Sequence, residues 1–123
     1  MRQTPAHDWF AEAAESYVRY VFSKAGYEVF GESKWGADIA IRRKRPETWL
    51  RVEVRSTEVT GKTAAKKSRA KLRQFAELLV EVDRPTSAFL FRTRYFVLRK
   101  GIKKARLDDP SPAQLKAWIN AHY

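Results

Sequence analysis

The apolar residues of the first part of the chain recur at steps of three and one, which is the spacing of one face of an α-helix. They are Trp9, Phe10, Ala13, Ala14, Tyr17, Val18, Val21 and Phe22. Thr4 or Asp8 is suited to cap the start of this helix, and Gly26 tolerates the positive φ with which many helices end. The pattern predicts a first helix that buries one face.

Three stretches typical of β-strands follow, at residues 27–30, 37–42 and 50–55. In the second and third, aliphatic and polar residues alternate, so each strand has one aliphatic face and one polar face. Asp38 lies on the polar face of the second strand, and Glu53 and Arg55 lie on that of the third. The charged turn at 43–47 favours a hairpin of these two strands.

The second half of the chain predicts a helix over 62–82, a central strand over 87–92, a neighbouring strand over 95–98 and a last helix. Ser111 as cap and Pro112 in the first turn open that last helix. The order of elements predicts an α/β fold, with a mixed five-stranded sheet flanked by helices. The length of 123 residues favours a single domain over residues 1–123.

Charge narrows the class of partner. The chain has 25 Lys and Arg against 14 Asp and Glu, a formal net charge of +11, which favours nucleic acid over an anionic membrane surface.

The chain has no Cys, which excludes disulfides, Cys-ligated zinc and a thiol nucleophile. No apolar run approaches the roughly 18 residues of a membrane span. We therefore expect an intracellular protein, in the cytoplasm or nucleoid, without a signal peptide.

Basic residues cluster at the start of the predicted second helix, with no acid among them, which favours a DNA-facing surface. The expected DNA contacts in this run are Lys62, Lys66, Lys67, Arg69 and Arg73. Lys34 and Trp35 lie in the loop before Asp38, where Trp35 either stacks on an unpaired base or fills the edge of the core. A second basic stretch occupies residues 99–106.

Asp38 and Glu53 are the candidate chemical residues. In a hairpin the two strands lie ~4.8 Å apart, so both carboxylates can converge on one cation. Mg²⁺ suits carboxylate oxygens and water. Arg55 shares the polar face of its strand with Glu53, so its charge can hold a phosphate against the metal. This arrangement is typical of a phosphodiesterase, although Arg55 could instead be an ion-pair partner of the two acids.

These residues resemble a known superfamily. Glu15 on the first helix, Gly26-Tyr27, Asp38, and the segment Val52-Glu53-Val54-Arg55-Ser56-Thr57 are similar to the PD-(D/E)xK nucleases, in particular the archaeal-type Holliday junction resolvases and related small endonucleases. The segment at 71–76 is similar to the helix that follows their motif. The resemblance covers residues 10–98 and leaves 110–123 without a counterpart.

The resemblance implies a restriction-endonuclease-like core, a homodimer and a function in DNA recombination or repair. It implies that Asp38, Glu53, Val54 and Glu15 hold Mg²⁺, or Mn²⁺, with Glu15 binding directly or through water. Arg55 stands where the superfamily has Lys, and a guanidinium cannot deprotonate in a protein. Lys34, Lys62 or the metal alone could then activate the water.

We therefore expect a metal-dependent DNA endonuclease that acts on branched DNA. One alternative is a restriction or repair nuclease of the same fold that acts on duplex or single-stranded DNA. The other is a catalytically silent DNA-binding module, which the replacement of Lys by Arg55 would favour.

Overall fold

The computed structural model describes residues 5–31, 38–44, 47–57, 71–74, 76–84, 91–99 and 105–123. Within them lie two helices whose bounds are described and one six-stranded sheet, and Lys71 and Leu72 are also helical. The elements are α1 (Pro5–Lys24), β1 (Glu28–Phe30), β2 (Ile39–Lys44), β3 (Glu47–Thr57), β4 (Leu78–Asp83), β5 (Arg92–Val97), β6 (Arg106–Asp108) and α2 (Pro112–His122). The α/β class and the mixed sheet are confirmed.

The strands lie in the sheet in chain order, from β1 to β6. β3 and β4 are parallel, and all other neighbours are antiparallel. The hairpin of β2 and β3 is confirmed, with Ile39 opposite Val52 and Lys44 opposite Glu47. A parallel pair requires a long crossover, which the chain supplies between β3 and β4.

The predicted number of five strands is wrong, because the sheet has six. Two of the six, β4 and β6, were not predicted as strands. β6 is three residues long and pairs with β5. It begins at Arg106, at the end of the stretch that the sequence marks as a basic loop. A three-residue strand with two charged members has too little alternation to be distinguished from a loop.

The predicted second helix extends too far. Lys71 and Leu72 are helical, but Leu78–Asp83 is the strand β4, of which every residue except Asp83 is buried. A short, continuously apolar run fits a buried strand as well as a buried helix, so periodicity alone does not separate them. β4 is thus a strand buried on both faces. Of the strand predicted at 87–92, residues 87–90 lie outside the described part and Arg92 begins β5. The strand predicted at 95–98 is confirmed for residues 95–97, which belong to β5.

The sheet carries a large core on one face and a smaller one on the other. α1 and α2 pack on the first face with alternate residues of the strands. That core includes Phe10, Ala14, Val18, Phe22, Ile39, Ile41, Val52, Val80, Tyr95, Leu115 and Ile119. The opposite face holds Leu72, Ala76, Leu79, Phe96 and Leu98.

The helix ends follow the local chemistry. α1 begins at Pro5, so Asp8 lies inside it and is not its cap, while Thr4 lies outside the described residues. Gly26 follows α1 with a φ of 96°, as a C-terminal glycine often does. Ser111 caps α2 as predicted: its hydroxyl accepts from the Gln114 N–H at 3.1 Å, and the Gln114 side chain accepts from the Ser111 N–H at 2.9 Å.

Glu81 is a charged residue inside β4, and its side chain is almost completely buried. Its Oε1 accepts a hydrogen bond from Arg94 Nε at 3.2 Å, and the Arg94 guanidinium also donates to Asp83 at 2.8 and 2.9 Å. Removing one partner of a buried ion pair typically costs ~3–5 kcal/mol of stability. Ion pairs therefore link β4 and β5 on this face of the sheet.

In the described part of the chain, no helix combines the length and apolar character needed to cross a bilayer.

Candidate active site

The open end of the β2–β3 hairpin brings Asp38 and Glu53 together. Ile39 is opposite Val52, so Asp38, the residue before β2, lies beside Glu53 on β3. The Asp38 Oδ2 accepts a hydrogen bond from the Val54 N–H at 2.8 Å. This bond fixes a carboxylate of one strand against the Glu53–Val54 peptide of the next.

Alternation along β3 separates the chemical residues from the core. Val52 and Val54 pack against the α1 face, so Glu53 and Arg55 project from the opposite face. Glu53 neighbours Leu79 on β4, and Arg55 neighbours Glu81. Asp38 and Arg55 both act electrostatically on Glu53. Three of the predicted catalytic residues thus share one region of the polar face.

Glu15 lies on α1 and acts on this region electrostatically. Its carboxylate accepts a hydrogen bond from Arg19, one turn later, at 2.6 Å, and it still exerts a repulsive effect on Glu53. Glu15 is therefore part of the same electrostatic environment, but its own carboxylate is already engaged with a guanidinium. This fits a peripheral position better than a direct contact with a cation.

Burial and neighbouring negative charge both disfavour the ionised form of Glu53. Burial, more than any other factor, raises the pKa of Glu53 to about 7; repulsion by Asp38 and Glu15 adds to this, and attraction by Arg55 opposes it. A divalent cation would relieve this repulsion. The donors that could hold one are the carboxylates of Asp38 and Glu53 and the backbone carbonyl of Val54.

This donor set suits Mg²⁺, which commonly takes one or two carboxylates and keeps several waters. In the part of the chain that the structure describes, no three His, Asp or Glu side chains are grouped as a metal site. Water and the Val54 carbonyl would therefore have to complete the coordination. The residues fit a hydrated hard cation and do not form a closed protein cage.

Arg55 is not an ion-pair partner of the two acids. Among the described residues, neither Asp38 nor Glu53 lies within ion-pairing distance of its guanidinium, and its buried Nε has no hydrogen-bond partner. The Oε2 atom of the neighbouring Glu81 is likewise buried, and no described residue donates a hydrogen bond to it. Glu81 was not among the predicted site residues, although a Glu inside an otherwise apolar run is a visible signal in the sequence.

Most of the expected DNA contacts lie outside the described residues: Lys34, Trp35, Lys62, Lys66, Lys67 and Arg69. Arg73 lies in a turn and is exposed, and the helical residue Lys71 is exposed too. In the second basic stretch, Arg99 donates to the carbonyl of His122 at 2.6 Å, and Arg106 pairs with Asp108 at 2.7 Å. These two arginines bind their own chain, which makes them weaker candidates for DNA contacts than Arg73.

The raised pKa of Glu53 predicts a pH-dependent cost to folding in metal-free protein. The unfolded chain releases this proton near pH 4.5 and the folded chain near pH 7. Between these values the folded state holds a proton that the unfolded state has lost, so rising pH lowers the free energy of unfolding through Glu53. Glu53→Gln removes this contribution.

Urea denaturation in EDTA at pH 5 and pH 8 measures the effect. The stability of Glu53→Gln relative to wild type should be greater at pH 8 than at pH 5. An equal difference in stability at both pH values would show that folding does not raise the pKa of Glu53. Addition of Mg²⁺ at pH 8 should stabilise wild type more than the variant, because a ligand that binds only the folded state stabilises it.

Comparison with known proteins adds no family to these observations. No protein-family model, curated protein or solved structure matches the chain. The functional conclusion therefore depends on the residues of the site: Asp38 held against Val54, Glu53 with its raised pKa, and Arg55 two residues further along the same face.

Proposed function

We propose that the protein is a metal-dependent DNA endonuclease of the PD-(D/E)xK type, with a restriction-endonuclease-like core. The observation that carries this proposal is the pairing of Asp38 and Glu53 at the end of the β2–β3 hairpin, where the Val54 N–H fixes Asp38. Two crowded carboxylates beside a backbone carbonyl and an arginine form a set that can bind a cation and a phosphodiester together.

Asp38, Glu53 and the Val54 carbonyl would hold Mg²⁺ or Mn²⁺. Such a cation, when bound, supplies Lewis acidity toward a phosphoryl oxygen and lowers the pKa of water. The Val54 N–H leaves one oxygen of Asp38 free to face the cation and keeps the carboxylate from rotating away. Glu15, engaged with Arg19, would contribute through water and not by direct contact.

Arg55 would stabilise the charge that builds up on the phosphate during attack by water. Its guanidinium stays protonated, so it cannot take the proton from the water. Arg55 as a whole is only partly buried and forms no ion pair with the described acids, so its guanidinium is available to a phosphate oxygen. Arg55 is thus assigned a role in charge stabilisation, which does not require the neutral amine of a Lys.

DNA is the proposed substrate because the chain is strongly basic and exposes Lys71 and Arg73 near β4. Branched DNA and a homodimer follow from the resemblance to junction resolvases. A second candidate, a silent DNA-binding module, is favoured by one observation, the presence of Arg55 where the superfamily has Lys. Activity measurements on site variants separate the two.

Loss of either acid should abolish cleavage without abolishing DNA binding. A labelled four-way junction, a duplex of matched sequence and a single strand are incubated with wild type, Asp38→Asn and Glu53→Gln, with Mg²⁺ or with EDTA. Wild type should cut the junction only with Mg²⁺, and both variants should lose at least about 10²-fold in rate. Glu12→Gln, at an exposed glutamate on α1, is the matched control and should cut normally. Cleavage by both acid variants at the wild-type rate would remove these residues from the site.

Arg55 distinguishes an enzyme from a silent module. Arg55→Ala should lower the cleavage rate by about 10²-fold, as expected for one electrostatic group in the transition state, while Arg55→Lys should retain or raise activity. Single-turnover rates on the junction, normalised to the folded fraction from circular dichroism, provide the measurement. An inactive wild type together with an active Arg55→Lys would show that the chain retains the scaffold but has lost the chemistry. An unchanged rate in Arg55→Ala would show that Arg55 has no role in catalysis.

A further inference from the structure

Two large aromatic side chains are exposed together on the sheet. Phe30 on β1 and Trp49 on β3 have ring centroids 5.0 Å apart, tilted by 37°, and are 40% and 44% exposed. We call them the aromatic pair. Among the described residues, the other exposed large hydrophobic side chain is Tyr20, which is 57% exposed and lies on α1.

The aromatic pair lies on the same face of the sheet as the candidate active site. Trp49, Arg51 and Glu53 are alternate residues of β3, so they project from one face. Ala40, opposite Arg51 and Phe30, extends this face across the hairpin. Ala40 is fully buried although it lies on this outward face, as expected if the two rings cover it.

The distance between the aromatic pair and the site suits one DNA strand. Trp49 precedes Glu53 by four residues, which is about 13 Å along a strand. At ~3.4 Å per stacked nucleotide, a DNA strand covers this distance in about four nucleotides, and in fewer when extended. A strand whose scissile phosphate lies at the candidate active site can therefore place a nearby base over the aromatic pair.

The surroundings of the aromatic pair favour a base over a phosphate. Arg42 lies 6.0 Å from the Trp49 ring centroid and pairs with Glu28 at 3.2 Å and Glu47 at 3.0 Å. Arg51 pairs with the Glu77 carboxylate. Because both arginines are matched by acids, the surface offers aromatic rings more than net positive charge. A planar, uncharged ring is the ligand that such a surface accepts.

That base must be unpaired. In a duplex both faces of a base are covered by its neighbours, whereas unpaired bases expose a face that stacks on aromatic side chains. A second copy of the chain fits less well, because two half-exposed rings bordered by ion pairs offer far less than the ~800 Å² per partner of a typical stable interface.

We propose that Phe30 and Trp49 form a stacking surface for an unpaired DNA base within a few nucleotides of the bond that is cut. This inference rests on the proposed endonuclease function and makes it more specific, because it assigns the preference for branched or single-stranded DNA to these two residues. Arg42 supports the stacking surface by holding the indole of Trp49 from one side.

Binding in EDTA tests the stacking surface without depending on metal or cleavage. Fluorescence anisotropy compares a labelled oligo(dT) strand with a duplex of equal length, for wild type, the double variant Phe30→Leu/Trp49→Leu, and the control Tyr20→Leu. The double variant should bind the single strand about tenfold more weakly, as expected for loss of base stacking, and should bind the duplex as wild type does. Tyr20→Leu should bind both as wild type does.

Several outcomes would overturn the proposal. These are unchanged single-strand affinity in the double variant, an equal loss on both DNAs, or a wild-type dimer that becomes monomeric in the double variant by analytical ultracentrifugation. The last result would make the aromatic pair an interface between copies. Thermal melting confirms that the variants fold. A wild type that shows the binding difference but never cuts DNA supports the stacking surface and refutes the endonuclease, so the two failures are distinguishable.

Discussion

The hydrogen bond from the Val54 N–H to Asp38 Oδ2 holds the site together. It lies where the β2–β3 hairpin opens and anchors the carboxylate that precedes one strand to the backbone of the other. Without it, Asp38 could rotate away from Glu53 and relieve their repulsion. With it, the two charges stay close, and half-burial together with Asp38 keeps the pKa of Glu53 near 7. The site is thus built to favour a bound positive charge.

The two faces of the sheet differ in character: one carries the larger core, and the other carries the charged groups together with a smaller core. Alternate residues of β2, β3 and β4 pack on α1 and α2, and their neighbours carry the charged groups. Arg55, Glu81, Arg94 and Asp108 form one row across β3 to β6 by strand register. A buried charge is costly unless it is paired. The pairing of Glu81 with Arg94 therefore allows this row of charged residues to pass through the interior of the sheet. The aromatic pair and the acids then occupy the part of the same face formed by β1, β2 and β3.

Sequence analysis was most informative where the periodicity was unambiguous. Strict alternation on β2 and β3 identified the hairpin and the common face of Glu53 and Arg55, and Ser111 identified the start of α2. It was wrong for β4, because a continuous apolar run has no period that separates strand from helix, and for β6, which is too short. It also missed the aromatic pair. Phe30 and Trp49 lie on strands separated by β2, so their contact depends on register across three strands, which local patterns do not determine.

The most direct test of this account is the position of a divalent cation. Anomalous X-ray scattering from crystals grown with Mn²⁺ locates the ion independently of activity. The account predicts one peak bound by Asp38, Glu53 and the Val54 carbonyl, at the ~2.1 Å typical of a small hard cation and oxygen ligands. Crystals grown under conditions that support cleavage, with Mn²⁺ bound elsewhere or with no ion between these residues, would contradict it.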